Sequence, residues 1–232
     1  MEIVRAGSFA DYLVKTVPLT EGQSETYEQR LCTALAQLGV VREGERLLSF
    51  EEWHDYQRGG DEVYVAAAQL IIESHGQRVT RPFVSKAIIR GHITLSRMLH
   101  RRALLAAWSI PAPELYSVAD MCINEQYIPY AIEPEAAQSG RITPGVLDDI
   151  IHAAAVLDAK GFPTLSFIHD MRTDGTRAYY VDFGWDLWDP GPRPLDNAYR
   201  VLIAFARRYL RDAQQRVEQS YRSEIAKLSA GL

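Results

Sequence analysis

The residue with the clearest chemical potential is Asp182, which follows the apolar stretch Tyr179–Val181 and precedes Phe183 and Gly184. A carboxylate is one of the ligands that bind magnesium together with substrate phosphates. One chemistry that uses such a cation is phosphoryl transfer, which needs charge neutralisation and alignment more than covalent participation by the protein. The alternative interpretation is a turn aspartate followed by a flexible glycine. The meaning of Asp182 therefore depends on the elements that precede it.

The first half of the chain predicts a helix followed by a sheet. Residues 24–38 carry apolar side chains at helical spacing, and Gly39 marks the expected end of that helix. The stretches that come next are β-prone and separated by turn residues: Leu47–Tyr56, Glu62–Glu73 and Arg78–Ile89. They predict a three-stranded antiparallel sheet.

The second half of the chain predicts helices that alternate with short β-hairpins. The helical patterns are Thr94–Trp108, Thr143–Lys160 and Leu195–Leu228, the last as one helix or two. The short β stretches are Leu115–Val118, Met121–Tyr127, Leu165–Met171 and Ala178–Val181. The predicted fold class is therefore α+β.

Composition excludes several functional classes. The 232 residues are 47% hydrophobic and carry a formal charge of −5, which is typical of a globular protein and gives no electrostatic reason to expect nucleic acid. No segment reaches the roughly 18 apolar residues of a spanning helix, and the N-terminus lacks a signal-peptide pattern. Cys32 and Cys122 are far apart in sequence and predict packed thiols. We expect a cytoplasmic protein that binds neither membrane nor nucleic acid.

Several segments together resemble the protein-kinase-like superfamily, and most of all the aminoglycoside-phosphotransferase-like small kinases. Phe83–Ile88 is similar to the strand that carries a phosphate-binding lysine, and Ile110–Tyr116 to the segment after the first helix. Ile123–Pro129 resembles the hinge that holds adenine, and the motif at Asp182 resembles the one that binds magnesium. The resemblance extends from Lys86 to Asp182.

This resemblance implies a two-lobed protein-kinase-like fold with an antiparallel N-lobe sheet and a reduced helical C-lobe. The implied division is residues 1–128, an N-terminal helical extension plus the N-lobe, and residues 129–232, the C-lobe. The implied cofactors are ATP and magnesium.

The resemblance also implies a role for individual residues. Lys86 would contact the nucleotide phosphates, and Glu125 and Tyr127 would lie in the adenine-binding hinge. Asp182 would bind magnesium. These roles follow from the matched segments and not from spacing alone.

The first lobe departs from the kinase pattern in two places. Where a glycine-rich phosphate loop is expected, Gly59 and Gly60 are candidate phosphate contacts but also suit an ordinary hairpin turn. The helix after Lys86 has no glutamate to pair with that lysine. Lys86 would then be oriented by a carboxylate from elsewhere, such as Glu73 on the neighbouring strand, or be held only by the nucleotide. That helix, residues 94–108, is basic and would receive an anionic ligand or a protein partner, or form a solvated face.

The largest departure is the catalytic loop, where kinases have an aspartate and, shortly after it, an asparagine. One register places Asp170 in the asparagine slot and Thr164 or Leu165 in the aspartate slot. A second register makes residues 167–170 the strand itself, with Ser166 in the asparagine slot and Gly161 in the aspartate slot. Neither register restores the catalytic base.

Asp170 therefore decides between functional hypotheses. If it clamps magnesium with Asp182, and His169 accepts a proton, the chain is an ATP- and magnesium-dependent phosphotransferase acting on a small molecule or short peptide. If Asp170 and His169 form only a polar strand end, the chain is a pseudokinase-like binding module that engages a partner through the basic helix or the C-terminal helix, residues 214–228. The remaining alternative is an unrelated α+β fold.

Overall fold

The computed structural model describes residues 1–5, 7, 9–17, 25–59, 63–88, 94–119, 122–183, 187, 189–192 and 194–230. It confirms the α+β class. The chain divides into two compact units, of which the first comprises Met1–Leu95 and Glu114–Tyr127, and the second Ser96–Pro113 and Ile128–Leu232. The basic helix thus belongs mainly to the second unit, although it precedes part of the first in sequence.

The first unit is built on a six-stranded mixed sheet. Its strands are β1 (Glu2–Val4), β2 (Arg46–Gly59), β3 (Val63–Ser74), β4 (Gln77–Ile88), β5 (Leu115–Ala119) and β6 (Cys122–Gln126). They lie in the order β1-β2-β3-β4-β6-β5, with β1 parallel to β2 and every other pair antiparallel. The predicted three-stranded sheet and the separate β pair are therefore parts of one sheet, because β4 pairs with β6.

Two helices cover one face of this sheet: α1 (Phe9–Thr16) and α2 (Tyr27–Gln37). Phe50, Leu70 and Phe83 come from successive strands and are fully buried in the same cluster as Leu13 and Leu35. Burial of each such side chain stabilises the fold by about 1.5–3 kcal/mol relative to an exposed one. The alternation of apolar residues along the strands thus determines which face carries the helices.

Local capping defines where these helices begin and end. The Thr26 hydroxyl accepts from the Gln29 amide at 3.2 Å, and the Gln29 side chain accepts from the Thr26 amide at 2.7 Å, so α2 begins after a capping box. Gly39 has a φ of +65° and ends α2, as predicted. The carboxylate of Glu52, on β2, accepts from the Phe9 amide at 2.9 Å and so anchors the start of α1 to the sheet.

The second unit is mainly helical. Its helices are α3 (Leu95–Ala107, whose first residue belongs to the first unit), α4 (Pro144–Ala159), α5 (Asn197–Tyr209) and α6 (Gln214–Ala230). A small antiparallel sheet has the order β7 (Tyr130–Ala131), β8 (Met171–Thr173) and β9 (Ala178–Tyr180). Helix α4 is the centre of the unit, since Ile150, Ala154 and Leu157 are fully buried and α5 and α6 pack against it. Thr143 caps α4 and Pro144 opens it, as predicted.

The predicted strand Leu165–Met171 is wrong. This segment runs in turns, in which the Ser166 carbonyl accepts from the amides of His169 and Asp170 at 2.7 and 3.1 Å, and β8 begins only at Met171. Such local bonds leave no extended backbone to pair with a neighbour. The second register, which required residues 167–170 to be a strand, is therefore excluded.

The helical pattern predicted for Leu195–Leu228 corresponds to two helices, α5 and α6, which are joined by the short 3₁₀ turn Arg211–Ala213. Val217 and Tyr221 of α6 are buried within the second unit, so these two side chains pack on the chain's own helices. Within the described ranges, no helix is both long and apolar enough to cross a membrane.

Candidate functional site

Lys86 and Glu125 form a buried ion pair in the first unit. Val84 is opposite Glu125 and Lys86 is opposite Ile123 in the β4–β6 ladder, so the two charged side chains are diagonal neighbours on one face of the sheet. Their side chains are only 12% and 2% exposed. This pairing orients the lysine ammonium and compensates the burial of both charges.

The partner of Lys86 is thus on β6 and not on β3, where Glu73 was the candidate. The Glu73 carboxylate instead accepts from the Arg46 guanidinium at 2.8 Å. Glu125 was expected in the hinge, but it lies inside strand β6, with its carboxylate directed at Lys86. The sequence contained the charges, but only the strand register shows which two are neighbours.

Tyr127 follows β6 directly and contacts an aromatic residue of β2. Its ring lies edge-on to that of Trp53, with 4.9 Å between the centroids. The cross-strand row that starts at Trp53 continues through Ala67 and Val84 to Glu125. The sheet face that carries the Lys86–Glu125 ion pair therefore also carries an aromatic pair, two kinds of group that can recognise a flat, charged ligand.

The glycine candidates lie at the end of β2. Gly59 is the last residue of that strand and is opposite Tyr64 in the ladder. Gly60 lies outside the described residues, so its predicted phosphate contact stays a prediction.

Asp182 follows β9 in the second unit and is exposed, whereas the next residue is held tightly. The Phe183 side chain is buried, and its carbonyl accepts a 2.6 Å hydrogen bond from the Arg101 guanidinium on α3. The guanidinium of Arg102 lies over the Phe183 ring, 5.5 Å from its centroid. An exposed carboxylate on a fixed backbone is a suitable cation ligand.

Asp170 lies close to this segment but is differently placed. Its carbonyl accepts from the Val181 amide at 2.8 Å, which brings Asp170 beside the residue that precedes Asp182. Its carboxylate is buried and accepts from the Tyr180 hydroxyl at 3.0 Å and the Ser166 hydroxyl at 3.4 Å. The backbone of Asp170 thus lies beside the segment that carries Asp182, and the joint binding of one cation by both carboxylates stays a prediction. The sequence did not predict the hydroxyl groups that donate to Asp170.

Neither residue predicted for the slot of the catalytic aspartate can act as a base. Leu165 is 70% exposed but has no ionisable group, and Thr164 is fully buried. His169 is exposed and lies one residue before Asp170, so among the predicted catalytic residues it is an accessible proton acceptor.

The carboxylates present fit magnesium only with a nucleotide. Among the described residues no group of three or more His, Cys, Asp or Glu side chains could hold a metal ion. Magnesium is commonly bound by one or two carboxylates together with water and substrate phosphates, which is compatible with Asp182 as a ligand. Asp170 fits less well, because one of its carboxylate oxygens already accepts hydroxyl hydrogen bonds.

The basic helix α3 uses its arginines inside the second unit. Arg101 and Arg102 contact Phe183, as above, and Arg97 lies 3.4 Å from the Asp189 carboxylate. Arg101 is buried, so the expectation of a solvated face or a docking surface is wrong at this position. Arg97 and Arg102 are only partly buried, and for them the expectation stays a prediction.

The contacts of two polar residues of α4 were not predicted from the sequence. Asp158 is fully buried in α4, and His152 of the same helix bridges Glu224 and the Trp108 carbonyl, each at 2.9 Å. The only signal available was polar residues inside an otherwise apolar helix, which does not identify partners so distant in sequence.

Comparison with protein-family models and with curated proteins finds no match to this chain.

Proposed function

We propose that this chain is an ATP- and magnesium-dependent phosphotransferase of kinase-like fold, acting on a hydroxyl group of a small molecule or short peptide. The observation that carries the proposal is the buried Lys86–Glu125 ion pair. Phosphoryl transfer in kinases depends on a lysine held by a carboxylate, and the sequence offered no such carboxylate on the helix that follows Lys86. Glu125 provides it from β6.

Each remaining role is assigned to a residue with suitable exposure. Lys86 would bind the nucleotide phosphates, and Asp182, which is exposed, would hold magnesium. Magnesium, when bound, supplies charge neutralisation to the phosphates. His169, also exposed, would accept the proton of the attacking hydroxyl.

The test is ATP binding measured by calorimetry with and without magnesium. Lys86→Met should weaken ATP binding in both conditions, because it removes the cation that contacts phosphate. Asp182→Asn should weaken binding only when magnesium is present. Lys227→Met, which removes an exposed lysine paired with Glu224, is the matched control and should leave both affinities unchanged. If neither Lys86→Met nor Asp182→Asn weakens ATP binding, the proposal is refuted.

A second candidate function is a kinase-like nucleotide-binding module without catalysis. The observation that favours it is the state of Asp170, whose carboxylate accepts from the Tyr180 and Ser166 hydroxyls. Incubation with labelled ATP and a panel of alcohols and peptides separates the two candidates. Magnesium-dependent ATP binding without formation of any phosphorylated product would favour the binding module.

A further inference from the structure

We propose that Arg101 is a positioning residue, which fixes the backbone next to Asp182 and thereby sets the affinity for magnesium. The inference rests on the proposed function, because it concerns the same carboxylate. It goes further by assigning a role to a residue of the basic helix to which the proposed function gives neither a nucleotide contact nor a metal contact.

The central observation is a buried charged hydrogen bond. Arg101 is only 4% exposed, and its Nη1 donates to the Phe183 carbonyl at 2.6 Å. Burial of a guanidinium costs free energy unless its donors are satisfied, and hydrogen bonds from charged donors are stronger than neutral ones. The Phe183 carbonyl is thus held by a strong bond immediately after Asp182.

The same helix also restrains the side chain of Phe183. The Arg102 guanidinium lies 5.5 Å from the centroid of the Phe183 ring, which is itself buried. Consecutive residues of α3 therefore hold both the carbonyl and the ring of Phe183. With both fixed, the Cα of Phe183 has little freedom to move, and this atom is where the peptide from Asp182 is attached.

Helix α3, which carries Arg101, is itself anchored by the residues that follow it. Just beyond α3, the Trp108 carbonyl lies 2.9 Å from Nε2 of His152 on α4, and the Pro111 carbonyl accepts from the Tyr180 amide at 2.8 Å. The helix is thus attached to the centre of the unit and to β9. A fixed α3 can impose its geometry on the Asp182 segment.

The chemical consequence concerns magnesium more than ATP itself. Magnesium demands a nearly ideal octahedral arrangement of oxygens, so a displaced carboxylate loses affinity steeply. Removal of a group that orients a metal ligand typically costs about 10- to 100-fold in metal affinity. The proposal assigns Arg101 no phosphate contact, so binding of ATP without magnesium should be insensitive to Arg101.

The experiment measures the magnesium concentration needed for half-maximal enhancement of ATP binding. For Arg101→Met we expect this midpoint to rise about 10- to 100-fold, with unchanged affinity for ATP in the absence of magnesium. Arg101→Lys keeps a cationic donor and should recover part of the loss. Arg30→Met is the control, because Arg30 also donates to backbone carbonyls, those of Val14 and Val17, but lies in the first unit.

Amide hydrogen exchange of the nucleotide-free protein supplies an independent readout. Arg101→Met should accelerate exchange in the peptide that contains residues 178–183, and Arg30→Met should not. Unchanged exchange in that peptide, or an unchanged magnesium midpoint, would overturn the inference. If the natural protein binds no ATP with or without magnesium, the proposed function fails and the magnesium role of Arg101 fails with it, whereas the exchange result still decides whether Arg101 holds this backbone.

Discussion

The guanidinium of Arg81 donates hydrogen bonds to both carboxylate oxygens of Glu45, at 2.6 and 2.8 Å, and their side chains are only 12% and 8% exposed. Arg81 also donates to the Val40 carbonyl at 2.6 Å. It therefore connects β4 to the loop that leads from α2 into β2. A bidentate pair shielded from water in this way is stronger than an ordinary surface ion pair.

This pair predicts a loss of stability in acid. Arg81 lowers the pKa of Glu45 from 4.5 to about 2. A carboxyl group whose pKa is depressed by folding stabilises the protein above its unfolded pKa, and that contribution disappears as the pH falls through the folded pKa. We expect roughly 3 kcal/mol to be lost between about pH 5 and pH 2.

The measurement is urea unfolding over this pH range for the natural protein and for Glu45→Gln. The variant should be less stable at pH 7 and should lose less stability in acid. Glu114→Gln is the matched control, because its ion pair with Arg42 is about half exposed and should contribute little. Equal acid sensitivity of the natural protein and Glu45→Gln would contradict the prediction.

Asp158 predicts a second stability effect, in the core of the other unit. Its buried carboxylate accepts from the amides of Ala198 and Tyr199 at 3.0 and 2.9 Å and from the Tyr221 hydroxyl at 2.8 Å. Burial raises the pKa of Asp158 despite these bonds. The carboxylate thus fixes the start of α5 and the middle of α6 to α4.

We expect Asp158→Ala to lower the free energy of unfolding by about 2–4 kcal/mol, because it leaves buried donors without an acceptor. Tyr221→Phe removes one bond and should cost about 1 kcal/mol. Asp158→Asn keeps an acceptor and should fall between these values. Chemical denaturation checks the order, and an Asp158→Ala variant as stable as Tyr221→Phe would show that the helix contacts are independent of the carboxylate.

Substitution of Gly39 should destabilise the protein for two reasons, its backbone conformation and the lack of space for a side chain. Its φ of +65° disfavours other residues, and an added Cβ would lie 3.0 Å from the Tyr116 carbonyl oxygen. Gly44 has a similar φ of +79° with open space around the added atom. We expect Gly44→Ala to cost about 1–2 kcal/mol and Gly39→Ala to cost more. If thermal unfolding shows that the two variants lose equal stability, β5 moves away from the added Cβ of residue 39 without loss of stability.

Local signals in the sequence were sufficient where the structure depends on neighbours along the chain. Gly39 ends α2 because a positive φ is needed there, and Thr143 caps α4 because its hydroxyl reaches the amide of Val146. By contrast, the run from Leu165 to Met171 was predicted as the first strand of a hairpin that turns at residues 173–175. Local hydrogen bonds fold it into turns instead.

The candidate site was less predictable, because its contacts join distant parts of the chain. Lys86 and Asp182 were recognised by type, but the Lys86–Glu125 pair follows from the register between β4 and β6, which no local pattern specifies. The bond from Arg101 to Phe183 likewise depends on how α3 packs within its unit.

Substitution of Leu165 by aspartate is expected to increase the proposed phosphotransferase activity. In the proposed kinase-like site, exclusion of the second register assigns Thr164 or Leu165 to the slot of the catalytic aspartate, and of these two only Leu165 is exposed. An added carboxylate there remains in water, so Leu165→Asp should change stability by no more than about 0.5 kcal/mol. The same change at the buried Thr164 would instead place an unpaired charge in the core.

If residue 165 occupies the base position of the proposed phosphotransferase, Leu165→Asp adds a carboxylate that can accept the proton in place of His169. Phosphate transfer to a hydroxyl acceptor should then be faster, by at most about 10⁴-fold. Leu165→Asn is the control, since its side chain has the same shape but cannot accept a proton. ATP affinity should be the same in both variants, because Leu165 is assigned no nucleotide contact. An aspartate variant no faster than the asparagine variant would mean that residue 165 does not occupy the base position, which would leave His169 as the proton acceptor to test next.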